Sequence, residues 1–278
     1  MSAETRSIPV VLAVGGHDPG GGAGIQADIE AIGANGAHPA TVVTCLTVQD
    51  SCNLSALHPV EPTVILSQAM AVLADTPVSA IKIGLLGSPG AARAVAELLQ
   101  SRPGVPVVLD PVLAAGGGHD LAGDELLQAI RQRLLPHCTL LTPNTPEAHR
   151  LSGRSPEESL ESCAKALLAQ GAGAVLLTGT HEREQEPEIV HRLYRPSHPA
   201  AASTCKRLPG RYHGSGCTLA AAIAARLAHG ETLEEAVGQA LGYTWKSLTH
   251  AFRAGRCQSL PDRLFRQARL RARPIPNV

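Results

Sequence analysis

Aromatic side chains are nearly missing from this chain: two Phe, three Tyr and one Trp among 278 residues. Base-stacking surfaces need such rings. The 24 Lys and Arg are balanced by 24 Asp and Glu, so there is no basic field to draw in nucleic acid either. No apolar run reaches the roughly 18 residues of a membrane span. The Ala-rich stretch 219–228 is broken by Arg226 and reads as a core helix. Residues 1–9 are short and polar, unlike a secretory signal. The seven cysteines include no C-x-x-C pair, and Cys45 and Cys52 do not read as half a zinc site. The expectation is reduced thiols in a cytoplasmic protein that works on neither nucleic acid nor membrane. No linker, repeat or low-complexity tract divides the chain, so one domain over residues 1–278 is expected, with a core large enough to bury about three quarters of the unfolded surface.

Apolar runs alternate with helical spacing almost throughout. Strand-like runs lie at 10–14, 41–46, 80–83, 105–109, 139–142 and 174–178. Between them the spacing predicts helices at about 23–35, 62–74, 91–100, 124–135 and 156–170. Continuous apolar strands separated by helices imply an α/β fold, a mostly parallel central sheet covered on both faces. Residues 189–195 and 201–206 read as a hairpin, and a helical pair at about 214–229 and 233–254 follows. The charged stretch 182–188 reads as an exposed turn, and the Arg-rich tail 263–273 as a solvated face or frayed end.

The most informative segment is His213-Gly214-Ser215-Gly216-Cys217-Thr218, which runs straight into the alanine-rich helix. The first N–H groups of a helix lack internal partners and sit at its partly positive end. Glycines at Gly214 and Gly216 let an anion approach them. Cys217 falls within about one turn of this cradle. It is either a small buried thiol or a thiolate favoured by the helix start; a pKa one unit below about 8.5 would ionise roughly a quarter of it at pH 7. As a thiolate it could take a proton from an alcohol. His213 is a second candidate base.

Gly15-Gly16-His17-Asp18-Pro19-Gly20-Gly21-Gly22-Ala23-Gly24 follows the first strand run, where open α/β sheets bind ligands. It matches neither the dinucleotide fingerprint nor a Walker loop. Asp28 lies one helical turn further on, as a ligand acceptor or a surface acid. Gln49, at the end of the second strand run, has an amide suited to a heterocycle edge or to a turn. Asp110-Pro111-Val112 and Thr142-Pro143-Asn144-Thr145-Pro146-Glu147 end two successive strand runs. Asp110 and Glu147 offer hard oxygens for magnesium; alternatively they are acids favoured at helix starts.

Together these segments, with Leu46-Thr47-Val48-Gln49 and Lys82-Ile83-Gly84-Leu85-Leu86, resemble the hydroxymethylpyrimidine/phosphomethylpyrimidine kinases of the ribokinase-like superfamily. The resemblance implies a three-layer α/β/α fold and a phosphotransferase using ATP and Mg2+. The implied substrate is 4-amino-5-hydroxymethyl-2-methylpyrimidine, its monophosphate, or both, in thiamine diphosphate biosynthesis. By the same analogy Ala23, Asp28, Gln49, Leu85 and Val112 would surround the pyrimidine. Gly214, Ser215 and Gly216 would form the anion hole beside catalytic Cys217. Asp110 and Glu147 would organise the metal, and Asn144 and Thr178 would lie near the nucleotide. A homodimer is implied as well.

The chain departs from the family pattern in several places. His17 replaces Ser or Thr, Gly116-Gly117-Gly118 replaces Lys-Ser-Gly, and Thr178-Gly179-Thr180-His181 replaces Lys-Gly-Gly-His. Two phosphate-site lysines are thereby lost; Lys206, Arg207 and Arg211 are the candidate replacements. The glycine loop and a lid-like segment at about 189–213 are expected to close over the reactants. Two alternatives stay open at this point: a pyridoxal kinase, and a non-catalytic pyrimidine-phosphate-binding protein.

Overall fold

The computed structural model describes residues 8–114, 121–181 and 186–267. Gly116-Gly117-Gly118, most of the charged stretch and the tail beyond residue 267 lie outside the described residues.

Strand β1 (Val10–His17) shows how the sequence dictates the layers. Leu12 and Val14 join the core on one face of the sheet, and Val11 and Ala13 join the core on the other. A strand apolar on both faces has to be covered on both. Strands β2 (His38–Gln49), β4 (Val78–Ile83), β5 (Val107–Leu109), β6 (Leu140–Leu141) and β7 (Val175–Leu177) form the parallel part of the sheet with it. Strands β3 (Leu54–Pro59), β8 (Glu188–Tyr194) and β9 (Ala201–Lys206) add antiparallel edges. The spatial order is β3-β2-β1-β4-β5-β6-β7-β8-β9.

One face carries helices α2 (Pro62–Asp75), α3 (Pro89–Gln100), α4 (Asp124–Ala129), α5 (Thr145–Ser152) and α6 (Leu160–Ala169). The other carries α1 (Gly24–Ala34), α7 (Ser215–Ala228) and α8 (Leu233–Thr249). In α7 every residue from Cys217 to Ala225 is buried, and its alanines let the helix sit close to the sheet. This is the three-layer α/β/α arrangement the sequence implies. From β1 the chain goes to β2 on one side, whereas β4 pairs with β1 on the other. The strand order reverses there, which opens a crevice at the carboxyl end of β1.

Several boundaries differ from the sequence expectation. Gly15, Gly16 and His17 belong to β1, which leaves a loop of only residues 18–23. Strand β2 runs past Leu46 and returns as β3, whose polar Ser55 and His58 hid it. Pro143 and Pro146 read as a stiff turn, yet Pro146 is accommodated in the first turn of α5. The expected helix at 124–135 passes from α4 into a π turn (Ile130–Leu134) and a 3-10 turn (Leu135–His137). The segment expected as a lid begins as sheet, because β8 pairs with β7. Helix α8 stops at Thr249, and the chain returns through short bridges Phe252–Leu260 and Tyr212–Ser259.

Two expectations are overturned outright. Cys52 and Cys257 form a disulfide, with 5.0 Å between their Cα atoms, and only Cys45, Cys138, Cys163, Cys205 and Cys217 are free. Sequence spacing could not show this, since the fold brings together cysteines 205 residues apart. Arg263 is not solvated; it is 1% exposed. Among the described residues no helix is long and apolar enough to cross a membrane.

Candidate active site

The start of α7 packs against the glycine loop that follows β1. Gly214, its N-cap, has φ +81°, and a Cβ there would lie 1.8 Å from Gly22 O. Only glycine permits that approach. Side chains of Ser88, Asn144, Ser159 and Thr232 cap α3, α5, α6 and α8, whereas α7, like α1, α2 and α4, has no side-chain cap. Its leading N–H groups therefore retain their capacity for an anion. Gly214 and Ser215 are half-buried, Gly216 is exposed, and Cys217 is 9% exposed.

Alternation along β4 and β5 places the charged groups beneath. Ile81, Ile83, Val107 and Leu109 face the α2–α6 side, and Ala80 and Val108 face α7. Lys82 and the following Asp110 keep the parity of Ala80 and Val108 and so meet α1 and α7. Lys82 Nζ lies 2.8 and 2.9 Å from the two carboxylate oxygens of Asp28, both residues being fully buried. Burial acts to lower the Lys82 pKa, but Asp28, Cys217 and Asp110 around it outweigh burial and hold the ammonium protonated. Burial pushes the Asp28 carboxyl up against the pull of Lys82. Asp28 is thus an internal counter-ion rather than an acid open to a ligand.

The Cys217 thiol lies against Asp110 in this cluster, with the Gly24 N–H directed at the sulfur. Of the two sequence readings of Cys217, the structure supports the small buried thiol and overturns the thiolate favoured by the helix start. Burial, aided by Asp110 and Asp28, pushes Cys217 up to about 12, although Lys82 pulls the other way. The helix start cannot offset removal from water beside two carboxylates. His213 does not reach for the sulfur either: its Nε2 lies 3.0 Å from Asp18 Oδ2.

Asp110 is pushed up to about 6 by burial, with Asp28 adding to the shift and Lys82 opposing it. Its Oδ2 is buried with no hydrogen-bond partner among the described residues. Glu147 is pushed up to about 8 by burial and by Asp110. Its Oε2 accepts from Asn144 N at 2.9 Å while Asn144 Oδ1 accepts from Glu147 N at 3.0 Å, a capping box at the start of α5. Two crowded carboxyl groups, one with an unpartnered oxygen, suit a hard divalent cation such as Mg2+. Among the described residues no cluster of three or more His, Cys, Asp or Glu is present to hold a metal by itself. Solvent and phosphate oxygens would have to complete the shell.

The remaining sequence candidates spread along the same rim. Ala23, half-buried, donates its N–H to Asp18 Oδ2 at 2.8 Å. Leu85 follows β4 and packs by Gly16, where a Cβ would come within 3.0 Å of Leu85 Cδ2. Val112 N donates to Asp110 O at 2.9 Å. Gln49 is half-buried at the end of β2, three residues past Leu46, the partner of His17. Asn144 bridges to Thr178 beyond β7. Lys206 and Arg211 are exposed at the far end of the sheet and in the loop leading to His213.

Lys82 and Asp18 fall inside the sequence motifs and Arg263 opens the tail, but the sequence alone gives none of the three a role in the site. Lys82 carries a signal: a cation in the middle of Ala80-Ile81-Lys82-Ile83 must find a buried partner. Asp18 sits in a D-P-G turn and accepts from Gly20 N at 2.8 Å, a pattern its spacing announces. Nothing local singles out Arg263.

Comparison with known proteins gives a consistent result. The phosphomethylpyrimidine kinase family matches residues 18–261. A hydroxymethylpyrimidine/phosphomethylpyrimidine kinase from Haemophilus influenzae is 35% identical over 254 residues, covering 90% of this chain and 94% of that protein. The thiamine biosynthesis bifunctional protein ThiED of Geobacter sulfurreducens is 38% identical over 255 residues. This chain spans 50% of that bifunctional protein. Among solved structures, Clostridium difficile phosphomethylpyrimidine kinase matches with TM-score 0.74 and 29% identity, covering 87% of this chain and 100% of that one. An ADP complex of Bacillus subtilis pyridoxal kinase matches with TM-score 0.83 and 27% identity, covering 94% and 100%.

Proposed function

The chain belongs to the phosphomethylpyrimidine kinase family, and from that membership we propose that it phosphorylates 4-amino-5-hydroxymethyl-2-methylpyrimidine, its monophosphate, or both, with ATP as donor, in thiamine diphosphate biosynthesis. One observation carries the reading: the uncapped start of α7 and the Cys217 thiol meet Lys82 and Asp110 where the strand order reverses. This constellation presents an anion cradle, a buried cation and a proton-handling pair on one side of a crevice.

Phosphoryl transfer passes through a loose transition state and needs alignment and charge neutralisation more than covalent help. The N–H groups of 214–217 would receive the transferred phosphoryl group, and Lys82 supplies positive charge from below. The protonated Cys217 orients the substrate hydroxyl. In a loose transition state that hydroxyl loses its proton late. Asp110, ionised at neutral pH and touching the thiol, is the nearby group able to receive charge-compensating protonation. Magnesium, when bound, neutralises phosphate charge; Asp110 and Glu147 would hold it or its waters. Ala23, Gln49, Leu85 and Val112 line the pyrimidine side, and Asn144, Thr178, Lys206 and Arg211 the nucleotide side. Loop 207–213 and the glycine loop would close over both.

A homodimer and a cytoplasmic location complete the proposal. Leu46 and Val48, 50% and 51% accessible on one face of β2 beside the edge strand β3, favour a partner on that face. The bacterial biosynthetic relatives and the need for ATP favour the cytoplasm.

The deciding experiment follows ADP release with the pyrimidine alcohol, its monophosphate and pyridoxal in parallel, each with ATP and magnesium. Turnover of either pyrimidine well above that of pyridoxal is expected. Turnover of pyridoxal alone would move the chain to the pyridoxal kinases, and no turnover of any would remove the reading.

A further inference from the structure

Arg263 lies two residues beyond the stretch shared with the family, yet it is the largest fully buried side chain of the described residues. Its guanidinium spends its donors on two elements that no backbone ladder joins. Nε donates to Thr218 Oγ1 of α7 at 2.8 Å. Nη1 donates to Gly21 O at 3.4 Å and to Glu30 Oε2 of α1 at 3.1 Å, and Nη2 donates to Gly22 O. Thr218 Oγ1 in turn donates to Gly214 O at 2.7 Å. The fork therefore holds the glycine loop on one side and the N-cap of the anion cradle on the other. A Cβ on Gly214 would fall 1.8 Å from Gly22 O and 2.9 Å from Arg263 Nη2, so the three groups leave no slack. Arg263 is itself fixed from α8, where buried Tyr243 donates its hydroxyl to Arg263 O at 2.8 Å.

We propose that Arg263 is a positioning residue for phosphoryl transfer: it sets the spacing between the loop that carries Ala23 and the N-terminus of α7. The inference rests on the functional reading above. In that reading Ala23 lies against the pyrimidine and the α7 amides hold the phosphoryl group, so this spacing fixes how the hydroxyl meets phosphorus. A planar fork is suited to the task because its donors are rigidly related. Lysine, a single flexible point donor, cannot span the same four acceptors.

The test compares wild type, Arg263→Lys and the milder Thr218→Val, which removes one acceptor of the fork. Two products are measured together, ADP and phosphorylated pyrimidine. Misalignment exposes the bound phosphoryl group to water, so the ratio of ADP to pyrimidine phosphate should rise from about one to above about three in Arg263→Lys. Its kcat for the pyrimidine should fall by about 30- to 100-fold. A loss of folded protein lowers both products equally and leaves the ratio at one, which separates positioning from mere structural support. If Arg263→Lys does not fold, the ratio in Thr218→Val decides. A ratio unchanged in the folded variants overturns the proposal. If the wild type makes no pyrimidine phosphate, the functional reading fails instead, and the two failures are told apart.

Discussion

His213 Nε2 and Asp18 Oδ2 lie 3.0 Å apart, joining the residue just before the anion cradle to the loop that faces it. The Asp18 carboxylate also takes the N–H groups of Gly20 and Ala23, each at 2.8 Å. Burial alone would raise its pKa, but the bonds from His213, Ala23 and Gly20 hold it below the usual carboxylate range. Because Asp18 is more acidic folded than unfolded, its contribution is full above the ordinary value of 3.8 and is lost as pH falls through the folded value. Asp18→Asn should cost about 1–3 kcal/mol at neutral pH and flatten the acid limb of the stability curve. Urea titrations at several pH values check this; an acid limb identical to wild type would count against it.

Cys217 should be sluggish toward alkylation. A thiol held at about 12 carries, at pH 7, on the order of a thousandfold less thiolate than a free cysteine near 8.5. Iodoacetamide labelling of the native protein, mapped by mass spectrometry, should leave Cys217 unmodified while glutathione in the same tube reacts. Cys217→Ala should nonetheless lower kcat by roughly 100-fold or more. Wild-type turnover in that variant would remove the cysteine from the mechanism.

Lys82→Met leaves the fully buried Asp28 without its counter-ion, and should destabilise the fold by about 3–5 kcal/mol. Pairing it with Asp28→Leu removes both charges and should recover most of that loss while activity stays absent. The double variant thus separates a structural ion pair from a cation needed in the site; restored activity would show that Lys82 serves stability alone.

Arg211→Ala tests the loop proposed to replace the lost phosphate-site lysines. A charge-assisted bond to nucleotide phosphate corresponds to about a tenfold rise in the KM for ATP, with the KM for the pyrimidine unchanged. Steady-state kinetics with each substrate varied in turn distinguish this from a general loss.

The parts of the fold built from strong local signals are legible in the amino-acid sequence. Val10 to Val14 announces a strand buried on both faces, and Gly214 to Ala225 announces a helix that begins on a glycine and packs tightly. The Asn144–Glu147 pair is visible too, but its residue types point toward metal, whereas the acid also closes a capping box. What stays hidden depends on long-range paths. Asp28 is a counter-ion only because β4 pairs with β1, the strand beneath α1, and so brings Lys82 to it. Arg263 reaches Gly22 only because the chain turns back after α8. The thiol's pKa depends on how much water surrounds the helix start, which no local pattern records.

The Cys52–Cys257 bond closes most of the polypeptide into a covalent ring. A single cut in any exposed loop between those positions, by trypsin at Arg211 for instance, would therefore leave both pieces tethered. They would migrate as one species on a gel until a reductant is added, and only then separate.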